Sequence, residues 1–201
     1  MSEAAAEPVV LWMDLETTGL LPGEDQILEV HAALAPSLRR CLDVAYADTW
    51  VLGWRGDIAA LDPVVQAMHT DSGLFRECAR SDLHLAAVEA ELLARLPAEG
   101  PRAILAGRGA GFDRAFVAAQ MPALSGRLSH RVLDVSAVEL FCRALGMPPG
   151  TLRKAGAHRA KDDIEEARAH LERCMVWVQG CFGSPQGALT KLFEAAAGRG
   201  A

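Results

Sequence analysis

The sequence predicts an α/β domain built on a mixed sheet, in which an antiparallel meander is followed by parallel strands and helices flank the sheet. Two observations support this fold class. Three strand-like segments separated by short loops come first, and from residue 103 onward strand and helix patterns alternate. About half of the 201 residues are apolar (51%), which suits one compact domain with a sizeable core.

The strands of the meander are identified by their apolar and alternating patterns. They are expected at residues 9–20, 26–35 and 42–52. The turn after the first strand contains Pro22 and Gly23, and consecutive strands with short connections pair antiparallel. Asp62 followed by Pro63 has the form of a helix N-cap with proline at the first helical position, which predicts a short helix ending near Met68.

Helical patterns dominate the rest of the chain. Leucine and valine recur at helical spacing between Ser81 and Pro97, and the proline ends that helix. Further elements are expected as a strand at 103–106, a glycine-rich turn at 107–111, and helices at 112–119, 134–145, 161–178 and 185–197. We divide the chain into a flexible tail at 1–8, one domain at 9–180, and an appendix with a short helix at 181–201.

The chain shows no sign of export or membrane insertion. The first eight residues lack a basic start and an apolar core, so we expect a tail and not a signal peptide. No apolar run approaches the roughly 20 residues of a membrane span. The five cysteines are scattered and never spaced CxxC, which indicates buried thiols in a reducing compartment. We therefore expect a cytoplasmic protein.

The basic residues are concentrated in one part of a chain whose formal net charge is −6. Residues 102–161 hold ten Lys or Arg against three acids. Either these are ordinary solvated faces, or they form a basic zone. Such a zone in an acidic protein suits a small anionic ligand better than a long duplex, which needs many phosphate contacts.

Asp14 and Glu16 carry the strongest functional signal in the sequence. They lie two residues apart on the first strand, so both side chains project from the same face. Like charges held together on an apolar strand raise each other's pKa, and a divalent cation removes that conflict. The alternative is a strand that frays at Asp14, with both acids solvated in a turn with Thr17, Thr18 and Gly19.

Three later residues have the chemistry to complete a cation site. Asp113 lies where a strand gives way to a helix, Asp163 lies in the first turn of the last long helix, and His158 precedes Asp163 by five residues. Taken singly, Asp113 is better explained as a helix N-cap and Asp163 as an acid favoured by the helix dipole than as functional residues. Their occurrence together with the acids of the first strand favours the functional interpretation.

The order and spacing of these acids resemble the DEDDh family of 3′–5′ exonucleases, which has a ribonuclease H-like fold. The matching motifs are DLETTG, FD within GRGAGFD, and HRAKDD, and the similarity spans residues 8–178. Within the family the chain most resembles the oligoribonucleases, through LWMDLETTGL, HTDSGL, RVLDVS and AHRAKDDI. The resemblance implies release of 5′-mononucleotides from the 3′ ends of very short single-stranded RNAs by a homodimer.

The resemblance also implies a two-metal mechanism for the domain at 9–180. Asp14, Glu16, Asp113 and Asp163 are expected to hold two Mg²⁺ or Mn²⁺ ions about 4 Å apart. Hard oxygen ligands favour these metals over zinc. Because the unperturbed pKa of a histidine side chain is near 6.5, His158 is expected to take a proton from the attacking water near neutral pH.

Contacts to the nucleotide follow from the same resemblance. The candidates are Thr17, Gly19, Leu20, His69, Arg108, Arg131 and Ser136. The backbone near Gly19 is expected to approach the terminal nucleotide, and Leu20 to wedge against its base. Arg131 and Ser136 are expected to hold the 5′ phosphate, with Arg108 as a local substitute.

The chain departs from the oligoribonuclease pattern around the expected nucleotide site. Arg108 and Gly109 stand where the family has an Asn-Ser pair, and Val64 stands where it has a tryptophan. His130 replaces a tyrosine that the partner subunit contributes in the family. Two alternatives therefore stay open. One is a DEDDh exonuclease for single-stranded DNA or longer RNA ends, which the ETTG turn and Phe112 favour; the other is a catalytically silent nucleic-acid-binding relative.

Overall fold

The architecture is a five-stranded mixed sheet, described by a computed structural model that covers residues 6–149 and 159–182. The strands are β1 (Val10–Thr17), β2 (Ile27–Ala35), β3 (Tyr46–Val51), β4 (Ala103–Gly107) and β5 (Leu128–Asp134). Across the sheet they follow the order β3-β2-β1-β4-β5. The pairs β1–β2 and β2–β3 are antiparallel, whereas β1–β4 and β4–β5 are parallel. The predicted meander followed by parallel strands is confirmed.

Helices flank the sheet, as predicted. They are α1 (Pro63–Asp71), α2 (Leu74–Cys78), α3 (Leu85–Arg95), α4 (Gly111–Gln120), α5 (Pro122–Ser125), α6 (Val135–Ala144) and α7 (Ala160–Phe182). Two single 3₁₀ turns, Leu38–Arg40 and Ile58–Ala60, lie in the connections around β3. The N-cap at Asp62 is confirmed, because its carboxylate accepts a hydrogen bond from the Val64 amide at 2.8 Å.

The central strand β1 is buried on both faces of the sheet, which explains its continuous apolar run. Leu11 packs with Phe116 of α4 in one core, and Trp12 packs with Ile164 of α7 in the other. Side chains alternate between the two faces of a strand, so Asp14 and Glu16 lie on the same face as Trp12 and point towards α7. This geometry decides where the two acids of β1 are presented.

Some element bounds differ from the predicted ones. Strand β3 begins at Tyr46 and not at residue 42, because the chain first completes a 3₁₀ turn and a bend. Helix α1 continues past Met68 to Asp71. Strand β5 and the short helices α2 and α5 had no predicted bounds. β5 lies at the sheet edge with exposed His130 and Arg131, so its sequence lacks the alternation of a half-buried strand.

Two predictions fall outside the described residues: the general base His158 and the helix at 185–197. Among the described helices, none combines the length and the apolar character that crossing a bilayer requires. All five cysteines are unpaired thiols, of which four are buried and Cys181 is exposed.

Candidate active site

Asp14 and Glu16 leave the same face of β1 and meet Asp163 from the first turn of α7. One carboxylate oxygen from each of the three lies within 4.8 Å of the others. The fraying alternative is wrong, because β1 continues to Thr17 and pairs with β2 along its whole length. Glu16 is only 6% exposed. Two distant parts of the chain therefore place three like charges in one small, largely buried volume.

Asp113 approaches the same place from the other side of β1. It lies in the first turn of α4, is 3% exposed, and accepts a hydrogen bond from the Leu15 amide at 3.0 Å. That amide is available because the ladder between β1 and β4 ends at Trp12. The N-cap alternative is wrong, since Ala110 occupies the cap position. Asp113 thus belongs to the neighbourhood of the acids, although the close group contains the other three.

The turn after β4 needs a glycine to let α4 start so close to β1. A Cβ on Gly107 would lie 2.9 Å from the Met13 carbonyl oxygen, closer than such atoms normally approach. Because residue 107 is glycine, the end of β4 can lie this close to β1. The helix α4 that follows then brings Asp113 to the Leu15 amide.

The carboxyl groups titrate far from their ordinary range. Burial raises the pKa of Glu16 to about 8, and the charges of Asp163 and Glu29 add to the effect. The pKa of Asp14 is raised well above its usual value, first by burial and then by Asp113 and Asp163. Burial also raises the pKa of Asp113 to about 7, against the opposing hydrogen bond from Leu15. Such a group of acids is satisfied by a cation.

An ion pair that the sequence analysis missed anchors α7 beside this group. Glu29 of β2 is fully buried and stands opposite Glu16 in the strand register. Its carboxylate accepts hydrogen bonds from the Arg159 guanidinium at 2.9 Å and from the Ala160 amide at 2.9 Å. Arg159 also bonds Glu77 of α2 at 2.8 Å. The only sequence signal was a glutamate inside an apolar strand, with no indication of its partner 130 residues away.

His69 lies behind the end of β1. It is fully buried, and its Nε2 lies 2.9 Å from the Thr17 carbonyl oxygen. Its Nδ1 is 3.9 Å from a Glu16 carboxylate oxygen, and its ring meets Phe75 edge to face at 5.3 Å. The structure therefore places this predicted substrate contact beneath the site, where it supports the strand end and Glu16.

The turn after β1 is held by its own polar groups and presents one apolar side chain. Thr17 Oγ1 donates to the Gly19 carbonyl at 2.6 Å, and the Asp25 carboxylate accepts from the Leu21 amide at 2.8 Å. A Cβ on Gly19 would lie 2.4 Å from an Asp25 oxygen, so this position suits glycine. Leu20 is 76% exposed and is free to contact a ligand beside the carboxylates.

The predicted phosphate contacts are not brought together. Arg108 pairs with Glu166 at 3.1 Å, and the Ser136 amide donates to Asp134 at 2.8 Å as part of the α6 cap. Arg131 lies on the exposed face of β5 and lines a separate pocket. Among the described residues, no contact joins these three side chains to one another.

No protein-family model matches the chain. It is 35% identical to the oligoribonuclease of Nocardia farcinica over 206 residues, covering 96% of this chain and 89% of that protein. It is 36% identical to the oligoribonuclease of Mycobacterium tuberculosis over 183 residues, covering 81% and 77%.

Solved structures of exonuclease I share the fold. A zinc-bound complex of the E. coli enzyme with single-stranded DNA matches with a TM-score of 0.63 and 14% identity, over 94% of this chain and 43% of that chain. The Methylocaldum szegediense enzyme matches with a TM-score of 0.64 and 17% identity, over 90% and 42%. This chain thus spans less than half the length of the exonuclease I chains, and at these identities the likeness concerns the ribonuclease H-like fold alone.

Proposed function

This chain belongs to the oligoribonuclease family of 3′–5′ exonucleases, and we propose that it releases 5′-mononucleotides from short oligoribonucleotides with the help of two divalent cations. It is a phosphodiester hydrolase acting on nucleic acid. The observation that carries the proposal is the group of Asp14, Glu16 and Asp163, with oxygens within 4.8 Å of one another. We assign the exonuclease domain to residues 9–180.

The donors of this group fit Mg²⁺ or Mn²⁺. Hard cations prefer carboxylate oxygens, and a cation offsets the burial and repulsion that raise the pKa of Asp14 and Glu16. Asp113 stands beside the group and completes the four acids. When bound, such ions stabilise the charge that develops on the phosphate during an in-line displacement.

The turn after β1 binds the 3′-terminal nucleotide in this proposal. The backbone of Thr17 and Gly19 approaches the sugar closely in this proposal, since glycine carries no side chain to hold the ligand away. The exposed Leu20 packs against the base. His69 holds the Thr17 carbonyl from behind and keeps the strand end in place.

His158 is our general base. It lies outside the described residues and directly precedes Arg159, which is tied to Glu29 next to Glu16 in the sheet. The neighbouring position of Arg159 and the match of HRAKDD to the family motif support this assignment. A neutral imidazole accepts a proton from the attacking water near neutral pH.

We propose short single-stranded RNA as the substrate and a homodimer as the assembly, because the relatives near 35% identity are oligoribonucleases. Arg131 and Ser136 are our candidates for the 5′ phosphate, with Arg108 exchanging its glutamate partners for it. In this proposal the Arg131 side chain leaves the pocket that it lines in the free protein. The cysteine pattern supports a cytoplasmic location. We set aside the catalytically silent alternative, since the family consists of hydrolases.

A second candidate substrate is single-stranded DNA or a longer RNA end. The observation that favours it is Val64, which is 73% exposed and stands where oligoribonucleases carry a tryptophan. An exposed valine offers much less surface for stacking on a base than an indole does. A valine at this position therefore stabilises a bound dinucleotide less than a tryptophan does.

The test is the rate of mononucleotide release from 5′-labelled RNA of two, five and twenty nucleotides, with the DNA counterparts in parallel and Mg²⁺ or Mn²⁺ present. We expect the dinucleotide to be cleaved at least as fast as the longer RNAs. A rate that rises with length, or equal rates on DNA, would favour the second candidate. No metal-dependent release from any oligomer would contradict the proposal, and Asp163→Ala serves as the blank.

A further inference from the structure

A second pocket, of about 360 Å³, lies where the parallel strands β1, β4 and β5 begin. Pro8, Ile104 and Leu128 contribute to its walls. Val10 is the register partner of Ile104, so four residues of β1, or about 13 Å, separate this level of the sheet from Asp14. The pocket is therefore distinct from the carboxylate group near the other end of β1.

The charge of this pocket is the opposite of that of the carboxylate group. Its basic residues are Arg102, Arg114, His130 and Arg131, and no carboxylate lines it. Within the described part of the chain, none of these arginine side chains has a carboxylate partner, and the buried Nη1 of Arg114 has no hydrogen-bond acceptor. Other arginines do find partners, such as Arg55 with Asp82 at 2.7 Å.

This combination favours an anion as ligand. A buried guanidinium nitrogen without an acceptor is unfavourable, and three neighbouring guanidinium groups repel one another. Arginine forks match the paired oxygens of a phosphate, and the hydroxyls of Ser125 and Ser129 line the same pocket as additional donors. The volume is within the range of small-ligand sites and accommodates more than a bare ion.

We propose that this pocket binds the phosphate group of a nucleotide at a site separate from the carboxylates. Two sources supply that chemistry: the phosphomonoester of a released 5′-mononucleotide, and a phosphodiester of a longer strand upstream of the cleaved end. The choice of nucleotide as ligand rests on the proposed function, whereas the anion site itself does not depend on hydrolysis.

The test is calorimetric binding to the full-length protein in EDTA, which prevents hydrolysis and keeps cations away from the carboxylates. The probes are 5′-AMP and a pentaribonucleotide without a terminal phosphate. The variants are Arg114→Gln and Arg102→Gln; Arg102 is exposed, so its replacement leaves the core packing intact. The matched control is Arg80→Gln, which removes the same charge from an exposed position outside the pocket.

We expect both variants to bind one of the probes at least about tenfold more weakly than the wild type, with the control unchanged. Loss for 5′-AMP identifies the phosphomonoester as the source, and loss for the pentanucleotide identifies the phosphodiester. Wild-type affinity of both variants for both probes, or no binding by the wild type, overturns the proposal. A protein that binds 5′-AMP here but cleaves no RNA would instead overturn the proposed function alone.

Discussion

Two clusters of charged side chains lie on the α7 side of the sheet. One combines acidic and basic groups, and the other contains acids alone. The α6–α7 network consists of Arg108, Glu139, Glu166, His170 and Arg173. It combines acidic and basic side chains: His170 lies 3.2 Å from Glu139 and 3.3 Å from Glu166, Arg108 contacts both glutamates, and Arg173 contacts Glu139. The carboxylate group of Asp14, Glu16 and Asp163 has like charges only.

The difference shows what marks a functional site in this fold. The network places basic side chains against its two glutamates and joins α6 to α7, and both ring nitrogens of His170 lie near those glutamates without a hydrogen bond. The carboxylate group stays repulsive and its pKa values are raised. We therefore assign ligand binding to the unbalanced cluster and a structural role to the balanced one.

The largest expected effect is on activity. Asp14→Asn should lower the rate of short-RNA hydrolysis by at least about 10³-fold, because a cation ligand is lost. The same change should raise the stability of the metal-free protein at alkaline pH, where Asp14 otherwise ionises among its acidic neighbours. Initial rates and urea unfolding in EDTA measure the two effects. A rate within tenfold of wild type, or a less stable metal-free variant, would be inconsistent with the comparison.

The next effect is on stability, at the anchor of α7. Arg159→Ala leaves the fully buried Glu29 without its main partner and should cost about 3–5 kcal/mol. The control is Arg55→Ala, which breaks an exposed pair with Asp82 and should cost no more than about 1 kcal/mol. Chemical unfolding compares them. Equal losses in the two variants would show that Arg159 is no anchor.

A smaller effect is expected from pH in the metal-free protein. Glu16 and Asp113 have folded-state pKa values of about 8 and about 7, above their ordinary 4.5 and 3.8. Between those values the folded state holds protons that the unfolded state has released, so stability falls as pH rises from about 4.5 to 8.

Unfolding free energies measured at several pH values in EDTA and in saturating Mg²⁺ test this expectation. The cation should stabilise the protein more at pH 8 than at pH 5, because it binds the ionised carboxylates. A metal-free stability that is flat or rises across this window would contradict the raised pKa values.

The smallest effect concerns the balanced network. Arg108→Gln should change the free energy of unfolding by no more than about 1 kcal/mol, because Arg108 is partly exposed and its glutamates keep other partners. Thermal or urea unfolding measures it. A loss above about 2 kcal/mol would show that the network depends on this one arginine.

The sequence predicted correctly those features of the structure that depend only on neighbouring residues. The two-residue spacing of Asp14 and Glu16 on an apolar strand predicts a shared face, and Asp62 followed by Pro63 predicts a helix start. It was insufficient where the structure depends on distant partners. Glu29 and Arg159 lie far apart in the chain, and β5 is an exposed edge strand whose residues carry no strand periodicity.

The functional residues show the same limit. Asp113 and Asp163 were identified by their resemblance to family motifs, since a single acid at a helix start is ambiguous. Asp113 accepts a hydrogen bond from the Leu15 amide, whereas Asp163 joins the close group of acids. This difference arises because α4 and α7 pack against opposite sides of β1, which the sequence does not show. The sequence also could not show that Arg131 and Ser136 lie apart, because Arg131 belongs to β5 and Ser136 to α6.

Titration with Mn²⁺, followed by electron paramagnetic resonance, tests the central claim most directly. The wild type is compared with Asp163→Asn and with Asp162→Asn, a matched change at the neighbouring residue, which lies outside the close group. We predict that Asp163→Asn weakens Mn²⁺ binding at least about tenfold, while Asp162→Asn binds like the wild type. Equal binding by all three proteins, or no binding by the wild type, would contradict the assignment of this group as the metal site.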